Sequence, residues 1–221
     1  MTLTTQKAKI KEINNKLVQM ASLIEKQLYE SVTALKNHDC NAANIIAQND
    51  DKVDNFQKQI EEDCIKFIAT EQPLATDLRY VFTATKIVTD LERIADYAVD
   101  ICKINNRIYG KGKNPDIVEG SILWDMESKA RKMISLGIDA FINIDSEKAY
   151  EVCKMDDEID ALYKNLFKNI LKKAKIEEEK IDISAQFLFV GKYLERVADH
   201  ITNICEWTIF AKTGNYVDLN E

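Results

Sequence analysis

A repeated twelve-residue segment limits the folds that are open to this chain of 221 residues. LERIADYAVDIC (91–102) and LERVADHITNIC (194–205) are identical at seven of their twelve positions. Each copy is preceded, in the same order, by an apolar stripe, a polar break and an aspartate-rich segment, at an offset of 103 to 106 residues. This shared order predicts two similar units in tandem.

The spacing of apolar residues predicts that both units are helical. Between Ile13 and Leu35 apolar side chains advance by three or four positions, and the stripe returns between Leu123 and Phe141. Only six Gly and two Pro occur in the chain, which favours long helices over many short strands. We expect an all-α fold with six helices, at about 5–36, 40–70, 74–109, 119–142, 146–174 and 180–212.

The clearest linker between the two units is YGKGKNPD (109–116), which contains two Gly and one Pro. It divides the chain into a first repeat at 1–110 and a second repeat at 116–221. Each repeat has three helices joined by short turns, which predicts two tandem three-helix bundles.

Carboxylates recur in columns on these predicted helices. Residues four apart lie on nearly the same face of a helix, so Asp50 and Asp54 form one column, and Glu92 and Asp96 form another. Pro73 lies midway between them, and proline suits the first turn of a helix while ending the helix before it. An antiparallel hairpin that turns at Pro73 brings the two columns to the same height.

The second repeat contains the same arrangement of acids. The corresponding residues are Asp156 and Asp160 in one column and Glu195 and Asp199 in the other. Their midpoint falls at residues 177–178, inside the polar stretch KKAKIEEEK, where we expect the second bend. Asp100 extends its column by one turn, and Asn203 takes that position in the second repeat, where an amide oxygen can still bind a cation.

Carboxylates that converge in this way either raise one another's pKa values or bind cations. Oxygen ligands suit hard ions such as magnesium, manganese or iron, and zinc is compatible with them. The alternative is an ordinary solvated polar face, because a like-charge pair four residues apart costs only ~0.2–0.5 kcal/mol. Four acidic motifs, level with one another and repeated at a fixed offset, favour a metal site.

Composition excludes several other classes. A net charge of −7 and a pI near 5.1 disfavour a nucleic-acid-binding surface, which needs dense positive charge. Five cysteines without close pairs predict neither a disulfide framework nor a thiolate zinc site, and fit a reduced cytoplasmic setting. The sequence has no signal-peptide pattern and no apolar run of membrane-spanning length. No nucleotide-binding loop or activated nucleophile is recognisable, so we expect no enzyme.

Several segments resemble motifs of the PhoU family of phosphate-signalling regulators. They are NDDKVD (49–54), EQPLATDLR (71–79), DLERIAD (90–96), DDEID (156–160), YLERVADH (193–200) and NICEWTIFAKTGNYVDLN (203–220). They occur in the family's order and cover essentially the whole chain. The chain differs from the family at Ala95 and Ala198, where members often have Gly, and at Tyr97, where they often have His.

The resemblance implies two three-helix bundles in tandem, often dimeric, with metal ions or metal clusters on E/D-xxx-D motifs. It implies a cytoplasmic negative regulator of phosphate uptake and of the phosphate-starvation response. The implied partners are the ATPase of a phosphate importer and a phosphate-sensing histidine kinase. Carried over motif by motif, the implied metal ligands are Asp50, Asp54, Glu92, Asp96, Asp156, Asp160, Glu195 and Asp199, with Asp100 and Asn203 as additional candidates.

We therefore expect a cytoplasmic, homodimeric adaptor in phosphate signalling, with iron, manganese, magnesium or zinc on carboxylate clusters. We expect neither nucleic-acid binding nor direct insertion into a membrane. One alternative is a ferritin-like carboxylate-bound metal enzyme, but that class carries Glu-x-x-His pairs on two helices, and this sequence has none. The other alternative is a purely structural helical bundle.

Overall fold

A computed structural model of the chain describes residues 3–110, 120–174 and 181–219, and its regular elements over these ranges are all helices. The all-α prediction is therefore confirmed. The helices are α1 (Leu3–Lys36), α2 (Cys40–Gln48), α3 (Asp51–Glu71), α4 (Ala75–Tyr109), α5 (Gly120–Asn143), α6 (Ser146–Ala174) and α7 (Ile181–Thr213). None of these helices combines the length and the apolarity that crossing a membrane requires.

The predicted helix at 40–70 is interrupted, which the sequence pattern did not show. At the break, the side-chain amide of Asn49 donates to the carbonyl oxygen of Ile45 at 2.7 Å. The backbone N–H of Asn49 turns instead to the carbonyl of Ile46 at 3.1 Å. Since an α-helix needs the Ile45 carbonyl for that N–H, the Asn49 side chain competes with the helix. Met155 occupies the corresponding position in α6, which continues without a break.

The predicted turn at Pro73 is confirmed, because α3 ends at Glu71 and α4 begins at Ala75. Gln72 ends α3 in the left-handed region, with φ of 49°. The second predicted bend, at 177–178, lies outside the described residues, as does most of the linker at 109–116. The division into repeats at 1–110 and 116–221 stays a prediction.

One hydrophobic core extends through both halves of the chain. The stripe residues of α1, such as Leu17 and Met20, are 0% exposed, and so are Leu123 and Met126 of α5. All four belong to a single contiguous cluster of buried side chains. Helix α1 packs on α3, α4 and α5, and α7 packs on α4, α5 and α6.

Helices α4 and α7 form the central contact between the halves, and they run antiparallel. Near the start of α4, the ring centroid of Phe82 lies 6.3 Å from that of Trp207 near the end of α7. Near the end of α4, Arg107 donates to Gln186 of α7 at 3.0 Å. This antiparallel pairing places the two repeated LERxAD segments side by side at the middle of the contact.

Candidate functional site

The first acidic cluster lies where the start of α3 faces the middle of α4. It consists of Asp50 and Asp54 with Glu92 and Asp96. Burial raises the pKa of Asp50, and the charges of Asp96 and Asp54 raise it further. Burial also raises the pKa of Glu92, with added contributions from Asp96, Asp54 and Asp50. The structure thus brings together the two predicted columns of the first half.

Basic side chains beside this cluster neutralise part of its charge. Arg93 donates to the Oδ2 atom of Asp96 at 3.0 Å, and its Nε lies 3.5 Å from Oε2 of Glu92. Asp100 pairs with Lys103 at 2.8 Å and is not among the charges that raise the pKa of Asp50 or Glu92. The structure therefore places Asp100 at the edge of the cluster, next to a lysine of its own helix.

Gln27 of α1 is the functional candidate that sequence reasoning missed. Its side chain lies beside Asp50 and opposes the rise in the pKa of that carboxyl. The residue is only 5% exposed, and neither polar atom of its amide has a hydrogen-bond partner of good geometry among the described residues. The sequence feature that could have indicated Gln27 is a polar residue on the apolar face of α1, between Ile24 and Leu28.

The second acidic cluster joins the middle of α6 to the middle of α7 and is the more strongly perturbed of the two. Burial, followed by the charges of Asp199, Asp160 and Glu195, raises the pKa of Asp156 from 3.8 to about 7. The pKa of Asp199 is also raised, first by burial and then by Glu195. The structure thus places all four predicted carboxylates of the second half near enough to influence one another electrostatically.

Two lysines contact the edges of the second cluster, and a buried oxygen of Asp156 is left without a hydrogen bond among the described residues. Lys164 lies 3.0 Å from Oδ2 of Asp160, and Lys192 lies 2.5 Å from Oε2 of Glu195. The Oδ1 atom of Asp156 is buried and has no hydrogen-bond partner among the described residues. A buried carboxylate oxygen without a donor carries a desolvation cost that a bound cation would offset.

Asn203, the remaining sequence candidate, and its neighbour His200 face across the contact between the halves. Asn203 donates to the Oδ1 atom of Asp90 at 3.4 Å, so its amide is directed towards α4. His200 contacts the same oxygen of Asp90 at 2.8 Å through its Nδ1 atom. His200 therefore makes a contact between α7 and α4.

The two clusters differ at one position that explains part of their different pKa values. The residue that corresponds to Gln27 in the second half is Met133, which is fully buried. Asp50 therefore has an amide beside it that stabilises its charged form, whereas no side-chain hydrogen bond lowers the pKa of Asp156. The same backbone frame holds two carboxylate sites of unequal proton affinity.

The donor chemistry of both clusters suits a hard cation, but the side chains are not gathered around a single point. Among the described residues, no group of three or more His, Cys, Asp or Glu side chains is close enough to hold a metal ion. Glu195 and Asp96 are instead turned towards Lys192 and Arg93. Binding a cation would require these carboxylates to exchange their basic partners for the ion by side-chain rotation.

Comparison with known proteins shows the same two-part organisation. The family model of the PhoU domain matches residues 17–104 and 123–208. The phosphate-specific transport system accessory protein PhoU homolog of Clostridium acetobutylicum is 45% identical over 222 aligned positions, which cover 100% of both chains. The PhoU homolog of Borreliella burgdorferi is 33% identical over 210 positions, covering 94% of each chain.

Solved structures agree with these sequence matches. The crystal structure of PhoU from Pseudomonas aeruginosa superposes with a TM-score of 0.87 at 28% identity, covering 95% of this chain and 99% of that one. The phosphate transport system regulatory protein PhoU from Streptococcus pneumoniae also superposes with a TM-score of 0.87, at 27% identity, with 96% and 99% covered. The helical arrangement described above is thus shared along the whole length of these proteins.

Proposed function

The chain belongs to the PhoU family, and on this basis we propose that it is a non-enzymatic regulator of phosphate uptake that binds its partners in a metal-dependent way. The names of its relatives indicate an accessory role in phosphate transport. We infer that it acts in the cytoplasm as a homodimer. Its partners are the ATPase of the phosphate importer and the phosphate-sensing kinase. By binding them when phosphate is plentiful, it limits phosphate uptake and the starvation response.

The observation that carries the metal part of this proposal is the pair of carboxylate clusters. Asp156 has a pKa raised to about 7 and a buried oxygen without a donor, which is the electrostatic state of a site that lacks its counter-charge. Carboxylate oxygens select hard ions, of which magnesium, manganese and iron are the best suited and zinc is compatible. The holding residues would be Asp50, Asp54, Glu92 and Asp96 in the first half and Asp156, Asp160, Glu195 and Asp199 in the second.

A bound ion would supply positive charge that holds two helices of each hairpin together. The first cluster joins α3 to α4, and the second joins α6 to α7. Without a cation, repulsion among the carboxylates opposes close packing at both places. A bound cation would fix the relative position of the two helices in each hairpin, and with it the surface that a partner contacts.

Partner capture with and without chelator tests this mechanism. Immobilised protein is incubated with the purified importer ATPase, or with the cytoplasmic part of the kinase, in EDTA or in Mn²⁺, and its metal content is measured by elemental analysis. We expect capture to fall in EDTA and to return when Mn²⁺ is added. Equal capture in both conditions removes metal from the mechanism, and capture of neither partner in any condition contradicts the regulatory assignment.

Charge-neutralising variants separate the metal site from a purely structural role of the acids. Asp96→Asn and Asp199→Asn remove one ligand charge from each cluster while keeping the size of the side chain. We expect both to lower metal content and metal-dependent capture, whereas Asp125→Asn, an exposed control on α5, changes neither. If a variant carrying both substitutions kept its metal content, the acids would have a purely structural role in the helical bundle.

A further inference from the structure

An open, mainly apolar groove lies on the surface where the α3–α4 turn meets the end of α7. This groove has a volume of about 460 Å³. Its lining residues are Ile68, Ala75, Leu78, Arg79, Phe82 and Phe210. Ile68, Leu78 and Phe82 are 40%, 42% and 40% exposed, so apolar side chains that could be buried face solvent here.

The apolar lining follows helical spacing on both sides of the groove. On α4, Ala75, Leu78 and Phe82 occupy positions that share one face, and on α3 the exposed Ile65 and Ile68 share another. At about 1.5 Å per residue, the lining of α4 from Ala75 to Phe82 extends over about 10 Å. A surface of that length accommodates two turns of a helix that presents two or three apolar anchors.

The wall formed by α7 and the segment after it is a packed aromatic cluster. The rings of Phe210 and Tyr216 stack with centroids 4.3 Å apart, and Trp207 meets both edge-on at 5.8 Å. Gly214 has φ of 78°, and a Cβ atom there would clash with the guanidinium of Arg79. Arg79 is therefore held under the end of α7, in a position that only glycine at 214 permits.

The charge of this groove is opposite to that of the protein. Among the described residues that line the groove, Arg79 alone is charged, and the Nε atom of its guanidinium is buried without a hydrogen-bond partner there. Beside it, the Nζ of Lys86 lies 5.4 Å from the ring centroid of Phe82 and 6.0 Å from that of Trp207. The chain as a whole carries a net charge of −7.

From this combination we propose that the groove binds an amphipathic helix of a partner protein, whose apolar face carries a carboxylate that pairs with Arg79. The inference deepens the proposed function, on which it rests, by adding to the metal-dependent surface a second partner contact that does not itself need metal. An arginine provides a planar set of donors that matches a carboxylate, and in an apolar groove this pair specifies the register of the bound helix.

Other occupants fit these observations less well. If a second copy docked groove to groove about a two-fold axis, the two positively charged grooves would face each other. No acidic side chain among the described lining residues would offset their repulsion. An anionic membrane leaflet would repel a protein whose net charge is −7.

A pair of designed peptides tests the proposal in EDTA, so that its result is independent of the metal experiment. The probe is a fluorescent 18-residue helix with Leu at positions i, i+3, i+4 and i+7 and two Glu beside that face, and its partner carries Lys in place of the two Glu. Fluorescence anisotropy with the full-length protein measures both affinities. We expect the Glu peptide to bind at least tenfold more tightly than the Lys peptide.

A charge-reversal variant of the groove tests whether Arg79 determines the preference between the two peptides. Arg79→Glu is expected to lower the affinity for the Glu peptide at least tenfold and to raise the affinity for the Lys peptide. Lys132→Glu, at an exposed position of α5, makes the same change in net charge and is expected to alter either affinity less than twofold. If Arg79→Glu fails to fold, it is replaced by Leu78→Glu, at a half-exposed position on the rim of the groove. The same loss of affinity for the Glu peptide is expected.

Several results would overturn the assignment. They are equal affinity of the two peptides, no detectable binding of either, or an Arg79→Glu effect no larger than that of Lys132→Glu. Arg79-dependent sedimentation with vesicles of phosphatidylcholine and phosphatidylserine would reassign the groove to a lipid surface. A change in the solution mass of the protein on Leu78→Glu would reassign it to a second copy. Loss of peptide binding would leave the chelator-sensitive partner capture untouched, so the two proposals fail separately.

Discussion

The Nδ1 atom of His200 lies 2.8 Å from the Oδ1 atom of Asp90, across the contact between α4 and α7. The internal repeat places Tyr193 at the position of Asp90 and Tyr97 at the position of His200. These two tyrosines stack with their centroids 5.6 Å apart. The same contact is thus made twice around the pseudo-two-fold relation of the halves, once by a hydrogen bond and once by two rings.

We expect the Asp90–His200 contact to contribute to the association of the two halves. Removing either side chain leaves the other partly buried without its partner, so Asp90→Ala and His200→Ala should each destabilise the fold. In a double-mutant cycle by urea unfolding at pH 7, we expect a coupling of about 0.5–1.5 kcal/mol. The exposed pair Glu62–Lys66 is the control, with expected coupling below about 0.5 kcal/mol. Equal coupling in the two cycles would show that Asp90 and His200 merely lie close together.

The stability of the metal-free protein should decrease as pH rises from about 4 to about 7. In this window folded Asp156, with a pKa near 7, retains a proton that the unfolded state, with a value near 3.8, has released. The folded state then binds more protons, so the free energy of unfolding falls with increasing pH. The raised pKa values of Asp50, Glu92 and Asp199 act in the same direction.

Urea midpoints measured in EDTA across this range provide the check. Asp156→Asn should flatten the pH dependence, because an amide does not titrate, while Asp125→Asn on the exposed face of α5 should leave it as it is. If metal-free protein became more stable between pH 5 and pH 7, the assigned repulsion within the second cluster would be wrong.

Exchanging the residues at positions 27 and 133 should shift the proton affinities of the two clusters in opposite directions. Gln27→Met removes the amide beside Asp50 and should raise the pKa of that carboxyl further. Met133→Gln should lower the pKa of Asp156 below about 7. Carboxyl ¹³C NMR titration of Asp-labelled protein in EDTA measures both. If the pKa values of Asp50 and Asp156 shifted in the same direction in the two variants, Gln27 would not be the cause of the difference between the clusters.

A single methyl group at position 191 should destabilise the second half. A Cβ atom on Gly191 of α7 would clash with Leu166 of α6 and approach the ring of Tyr163 to 3.2 Å. We expect Gly191→Ala to cost about 1–3 kcal/mol in urea unfolding, as overpacking of a helix contact does. Ser135→Ala, at an exposed position of α5, is the control, with an expected change within about 0.5 kcal/mol. A neutral Gly191→Ala would mean that α6 and α7 can separate at this point without cost.

Local pattern was sufficient for the helical class, for the turn at Pro73 and for the pairing of the acidic columns. Each of these depends on spacing along one or two neighbouring helices, where a period of 3.6 residues and a proline leave few alternatives. The break at Asn49 escaped that reasoning because it results from competition for one carbonyl, at Ile45, between a side chain and the backbone.

Long-range packing decided the remainder. Gln27 comes to lie beside Asp50, and Asn203 turns towards Asp90, only because α1 packs on the first hairpin and α7 packs on α4. The periodicity of a helix states which side chains share a face. It does not determine which other helix that face will meet, since contacts between residues distant in sequence depend on how all the helices bury their apolar surfaces together.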